Sequence, residues 1–159
     1  MGTGKSTVGK ILAERVQRKF VEIDKEIEAQ EDMGIAEIFS RYGEAYFREK
    51  EKEVLKGISR QHNLVVSCGG GIVIDEENRM LIKTTGSMIC LEAHPDIIYK
   101  RVKKYNLRPL LNVKDPVNKI KELLAQRRRF YREAHYCVDT THLTYHQVVE
   151  RILEILRND

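Results

Sequence analysis

The sequence predicts an α/β fold, a three-layer α/β/α sandwich on a parallel sheet. Short apolar runs alternate along the chain with stretches whose apolar residues recur at helical spacing. Strands that alternate with helices are joined by crossovers and run parallel. Three prolines and no low-complexity stretch leave no sign of a linker, so a single domain over 1–159 is expected.

The elements follow in order. "STVGKILAERVQ" has Val8, Ile11, Leu12 and Val16 at helical spacing, and "KFVEI" follows as a short strand. "IAEIFSRYGEAYFREKEKEVLKGISR" is helical with a break near Gly43. "NLVVS" is an apolar strand that ends in Gly69, Gly70 and Gly71. "SMICLEA" is a strand and "PDIIYKRVKK" a helix. "DPVNKIKELLAQRRRFYREA" is a helix capped by Asp115, with Pro116 at its first position. "HYCVDT" is a short strand, and "YHQVVERILEILR" is a closing amphipathic helix.

Composition narrows the class. Hydrophobic residues at 42% and charged residues at 33% fit a globular chain and exclude a disordered one. No apolar run approaches the roughly 20 residues of a membrane-spanning helix, and the N-terminus lacks the regions of a signal peptide. A cytoplasmic protein without a membrane partner is therefore expected. The net charge of +4 suits an anionic small substrate as well as nucleic acid and decides nothing alone. Cys68, Cys90 and Cys137 show no CxxC pairing, and Cys68 and Cys90 lie in apolar runs, so reduced, buried thiols are expected there.

The opening "MGTGKST" matches the end of the phosphate-binding pattern G-x-x-x-x-G-K-[ST]. Gly2 and Gly4 let backbone N–H groups converge on phosphate oxygens, and the helix that follows adds its positive dipole end. Lys5 would bridge the terminal phosphates and Ser6 would ligate magnesium. A glycine-rich tail ahead of an amphipathic helix is the plainer alternative.

Further along, several residues each admit two readings. A strand ending in Glu22-Ile23-Asp24 places both carboxylates on one side at the ligand-binding edge of a sheet; Asp24 could equally cap a helix starting at Lys25. Arg48 lies near an apolar stripe, or else joins Glu44 and Glu51 in a surface ion-pair lattice. The run Gly69-Gly70-Gly71 directly after a strand suits close approach of backbone to a ligand. Arg108 precedes Pro109 between two helices, as an arginine-bearing lid or a plain surface loop. Arg127, Arg128, Arg129 and Arg132 form a basic run without an RNA-binding signature, most of it expected to be solvated. His142 and His146 have metal-binding spacing but no nearby acidic or cysteine partner, and are read as surface residues.

The order of these motifs is more specific than any one of them. "GTGKST", "FVEIDKEIE", "GEAYFREKE", "SCGGG", "RPLL" and "RRRFYREA" together closely resemble the shikimate kinase family, from residue 1 to about residue 140. The resemblance implies ATP-dependent phosphorylation of the shikimate 3-hydroxyl, with ATP and Mg2+ as cofactors. It implies a phosphate-loop fold of strand order 2-3-1-4-5 and a lid at about 103–115. Gly2, Thr3, Gly4, Lys5, Ser6, Thr7, Arg101 and Arg108 would hold the nucleotide, Arg101 by stacking on adenine. Asp24, Arg48, Gly69, Gly70, Gly71 and Arg127 would hold shikimate. Lys5, Asp24 and Arg108 would be catalytic, Ser6 and Glu22 would bind the metal, and Ser67 would assist through water. A monomer acting on a small molecule, with no nucleic-acid partner, is expected. A non-catalytic remnant, or a kinase of another polyol acid such as gluconate, stands as the alternative.

Three departures from the family accompany the resemblance. The first acidic position is commonly Asp and is Glu22 here. The turn before the last helix often has Pro where this chain has Tyr145. The family's first strand and the opening of its loop have no counterpart after Met1, which leads to the expectation that the protein starts upstream.

Overall fold

A computed structural model describes residues 2–103 and 113–158. In chain order its elements are α1 (Lys5–Arg15), β1 (Lys19–Glu22), α2 (Ile23–Glu31), α3 (Ile35–Ile58), β2 (Leu64–Ser67), a 3-10 turn (Ile72–Ile74), α4 (Glu76–Thr85), β3 (Ile89–Glu92), α5 (Pro95–Val102), α6 (Pro116–Tyr131), β4 (Tyr136–Asp139) and α7 (Tyr145–Arg157).

The strands pair in two parallel ribbons, β1 with β2 and β3 with β4. Taking strand 1 out of the order 2-3-1-4-5 leaves the pairs 2-3 and 4-5, which these ribbons reproduce. Among the described residues, β2 and β3 each pair along one edge only. Helices α1 and α7 nevertheless join the ribbons. Val8 and Leu12 of α1 and Val148, Val149 and Ile152 of α7 form one core with Val65 of β2, Ile89 and Leu91 of β3, and Val138 of β4. On the other side, Val21 of β1 and Val66 of β2 pack with Ile27 of α2 and Phe47, Val54 and Leu55 of α3. A third cluster, Ile98, Ile120 and Leu123, locks α5 to α6. The layers are therefore helix, strand and helix, as the alternating pattern predicts.

Local chemistry explains most boundaries. Gly43 interrupts α3 at φ 81°, a left-handed value that glycine adopts without strain. Asp115 caps α6 by accepting from Asn118 N, with Pro116 at the first position. A reciprocal Thr144–Gln147 capping box starts α7. Two expectations need correction. The strand stops at Glu22, and Ile23, fully buried in the core shared with α3, already begins α2. Glu22 and Asp24 therefore lie on different elements, and Asp24 sits in the first turn of α2 rather than at its cap. Helix α4 is an element beyond those the sequence predicts, started by the Asp75 side chain accepting from Asn78 N.

Candidate active site

The phosphate loop is a left-handed glycine turn feeding a helix. Gly2 and Gly4 have φ of 66° and 92°. A Cβ on Gly2 would stand 2.6 Å from Val102 Cγ1, and one on Gly4 would stand 2.8 Å from the Tyr145 ring. The loop thus packs too closely for any other residue. Thr3 between them is buried, with no hydrogen-bond partner for its hydroxyl oxygen. Gly4 caps α1 without a side-chain bond, and the first turn of the helix carries no acid. That end therefore presents its positive dipole with no acid within its own first turn.

Arg101 ties this loop to the end of β4. Its guanidinium donates to Thr3 O at 3.2 Å, Thr140 Oγ1 at 3.0 Å and Thr140 O at 2.9 Å. Thr140 is buried and also donates to Glu92 O at 2.9 Å. Three backbone segments far apart in sequence are thereby held in one cluster.

The Ser6 hydroxyl donates to Glu22 Oε1 across from α1 to the end of β1. This contact brings together the two oxygen donors assigned to a metal by the resemblance. Thr7, one residue on, is exposed. The Lys5 charge acts on the thiols of Cys68, just after β2, and of Cys90, on β3. Lys5 begins α1, the helix whose Val8 and Leu12 pack against both ribbons.

A second cluster forms at the C-terminal ends of β1 and β2. Arg48 on α3 pairs with Glu44 at 2.8 Å and Glu51 at 2.7 Å, and its guanidinium covers the glycine run. A Cβ on Gly71 would be 2.4 Å from Arg48 Nη2, although Gly71 has ordinary right-handed backbone. A Cβ on Gly69 would be 2.7 Å from Glu51 Oε1 and 3.3 Å from Asp24 Oδ1. Gly70 O accepts from the Tyr131 hydroxyl at 2.8 Å. Arg127 on α6 is buried, whereas Arg128, Arg129 and Arg132 are exposed. The Arg127 charge acts on both Glu51 and Tyr131.

Electrostatics single out Glu51. Burial pushes its carboxyl from the ordinary 4.5 up to about 7, with Asp24 adding to the rise and Arg48 and Arg127 opposing it. Burial also works against the charge on Arg48, but Glu51 and Glu44 outweigh it and raise that guanidinium's pKa. The lattice reading of Arg48 is thus half right: Glu44 is an exposed partner and Glu51 a fully buried one.

Of the residues named from sequence, Asp24, Arg48, Gly69, Gly70, Gly71 and Arg127 come together in this second cluster. Gly2, Thr3, Gly4, Lys5, Ser6, Thr7, Glu22 and Arg101 form the first around the start of α1. Ser67, at the end of β2, is buried. Arg108 and most of the lid segment lie outside the described residues. Glu51, Tyr131 and Thr140 were missed as site residues. Cys68 and Cys90 are half-buried and Cys137 is exposed, so burial of the thiols is less complete than apolar flanks suggest. His142 precedes α7 while His146 lies in it, both exposed, so they are not a pair on one helix.

Comparison with known proteins adds the family. The model described as shikimate kinase matches residues 1–157. The chain belongs to the shikimate kinase family. The shikimate kinase of Thermodesulfovibrio yellowstonii is 42% identical over 154 residues, covering 97% of this chain and 89% of the relative. That of Sulfurihydrogenibium sp. (strain YO3AOP1) is 45% identical over 153 residues, covering 96% and 91%. The solved shikimate kinase from Acinetobacter baumannii in complex with shikimate superposes at a TM-score of 0.96 with 34% identity, covering 99% of this chain and 89% of that one. Among the described residues, no helix is long and apolar enough to cross a membrane.

Proposed function

We propose that this chain transfers the γ-phosphoryl group of ATP to the 3-hydroxyl of shikimate. The observation that carries the reading is the joining of Asp24, Arg48, Arg127 and the Gly69–Gly71 run beside a phosphate loop. Two arginines suit a ring carboxylate. Asp24 suits ring hydroxyls and is placed by type to take the proton of the attacking one. Glycines without side chains let the ring lie against backbone.

In this reading the loop amides and the α1 dipole cradle the phosphates, and Lys5 bridges the β- and γ-phosphates. Lys5 and Arg108 stabilise charge on the transferring group. Arg101, held by its edge to Thr3 and Thr140, keeps a planar face for adenine. The Ser6–Glu22 contact suits Mg2+, since hydroxyl and carboxylate are hard oxygen donors. Those two residues would hold the ion, which would supply charge neutralisation to the phosphates. Glu22 is longer than the usual Asp, and its contact with Ser6 supports the view that the added length is no obstacle.

The test is shikimate-dependent ADP release with Mg2+, run beside gluconate. Turnover with shikimate alone is expected. Folded chain that binds shikimate without releasing ADP would overturn the transferase reading, and preference for gluconate would overturn the substrate.

A further inference from the structure

Cys90 on β3 and Cys137 on β4 are register partners, so their side chains leave the same face of the ribbon. Glu92, two residues beyond Cys90, leaves that face as well. The two sulfurs and a Glu92 carboxylate oxygen all lie within 4.8 Å of one another. A tetrahedral Zn2+ with bonds of about 2.0–2.3 Å sets its donors roughly 3.3–3.8 Å apart. The three donors thus lie within about 1 Å of ligand spacing.

We propose that Cys90, Glu92 and Cys137 form a binding site for a thiophilic divalent ion of the Zn2+ class. Two sulfurs and one carboxylate oxygen would be the protein ligands, with water completing the tetrahedron. Thiolate donors select against Mg2+ and Ca2+, which take oxygen shells. The site is therefore chemically distinct from the all-oxygen Ser6–Glu22 pair. Glu92 and Cys137 are exposed and Cys90 is half-buried, which leaves an entry path for ion and water. Burial, Cys137 and Glu92 push the Cys90 thiol up to about 12 against the charge of Lys5, and burial and Glu92 raise Cys137, so ion binding must displace both thiol protons. The Cys137 thiol donates to Tyr131 O at 3.8 Å, a weak bond that ion binding would replace.

An ion there would clip β3 to β4 at Glu92, whose backbone carbonyl also takes part in the Thr140–Arg101 contacts that hold Thr3. The site thus ties metal occupancy to the rigidity of the phosphate loop's support.

The experiment titrates the reduced full chain with Cd2+, following thiolate-to-metal absorption in the ultraviolet, and then displaces Cd2+ with Zn2+. One ion per chain is expected. C68S should retain the absorption and C90S and C137S should lose it. E92Q should weaken binding at least about tenfold, the scale on which even outer partners of metal sites act. Absorption that persists in C90S and C137S, that depends on Cys68, or that never develops in the folded chain would overturn the site. Should either serine variant fail to fold, alkylation of the unmodified chain decides. One equivalent of Zn2+ should protect Cys90 and Cys137 together, and lack of protection overturns the proposal. A Cys90–Cys137 disulfide that, once reduced, leaves thiols indifferent to Zn2+ would overturn it too.

Discussion

Arg48 and Glu51, one turn apart on α3, meet at 2.7 Å with the carboxylate fully buried and the guanidinium lying over Gly71. The pair is asymmetric. Glu51 is held nearer its neutral form by burial, while Arg48 keeps its charge and a second, exposed partner in Glu44. Because the raised Glu51 pKa of about 7 lies above its ordinary 4.5, the folded state favours the protonated form. The associated stability is fully present below pH 4.5 and is lost as pH rises through about 7. At about 1.4 kcal/mol per pK unit the change amounts to about 3 kcal/mol. Denaturant unfolding of E51Q should therefore lack this loss between pH 5 and 8, whereas the unmodified chain shows it. An identical pH slope in both would mean that Glu51 titrates normally.

The same pair makes a kinetic prediction. Ionised Glu51 anchors Arg48, so shikimate kcat/KM should fall as pH drops below about 7. In E51Q that limb should vanish, with the shikimate KM raised at every pH and the ATP KM little altered. Steady-state ADP release from pH 6 to 8.5 reads both constants. Equal increases in the two KM values would point to general loosening instead.

Gly71→Ala tests the glycine run without backbone strain. Its φ of −94° is ordinary, yet an added Cβ would stand 2.4 Å from Arg48 Nη2. Arg48 must move, and shikimate affinity should drop about tenfold or more, while a well-placed charged contact is worth about 1.5–3 kcal/mol. Gly57→Ala is the internal contrast: Gly57 lies inside α3 with nothing near its missing Cβ. It should stabilise the fold by about 0.5–1 kcal/mol and leave the KM unchanged. Thermal unfolding and shikimate titration separate the two effects.

These residues also mark how far the sequence is legible. The break at Gly43, the Asp115–Pro116 helix start and the strand–glycine run after Ser67 are local signals, and each is where it was expected. Helix α4 was not legible as an element, because only Asn78 of its residues is fully buried and the apolar spacing is thin. Glu51 sits in "REKEKE", where every acid looks alike. Its burial comes from the packing of α3 on α2 and the turn after Gly71, which spacing within one helix does not reveal. The Arg101–Thr3 bond joins positions 98 apart, beyond any local pattern.

Asp24→Asn should lower kcat by about 10²–10⁴-fold if its carboxylate accepts the hydroxyl proton. The substitution is nearly isosteric, so shikimate affinity and the unfolding midpoint should change little. Single-turnover ADP formation at saturating shikimate is the measurement. A loss confined to KM would leave Asp24 as a binding residue only.

The last prediction concerns the edges of β2 and β3 that are unpaired among the described residues. Val8 and Leu12 of α1 pack with Val65 of β2 and with Ile89 and Leu91 of β3, so α1 starts from a position that spans both ribbons. An apolar strand supplied ahead of Gly2 is expected to enter between those two edges and pair with both. Each large aliphatic side chain it buries contributes about 1.5–3 kcal/mol, so three or four rival a domain's net stability of about 5–15 kcal/mol. A chain extended by such a strand should unfold at markedly higher denaturant, bind less of a hydrophobic dye, and protect the amides of Leu64–Ser67 and Ile89–Glu92 from hydrogen exchange. A polar extension of equal length should do none of these. If the two extensions behave alike, the edges of β2 and β3 do not share a slot, and the support of the phosphate loop rests on α1, α7 and the Arg101 contacts alone.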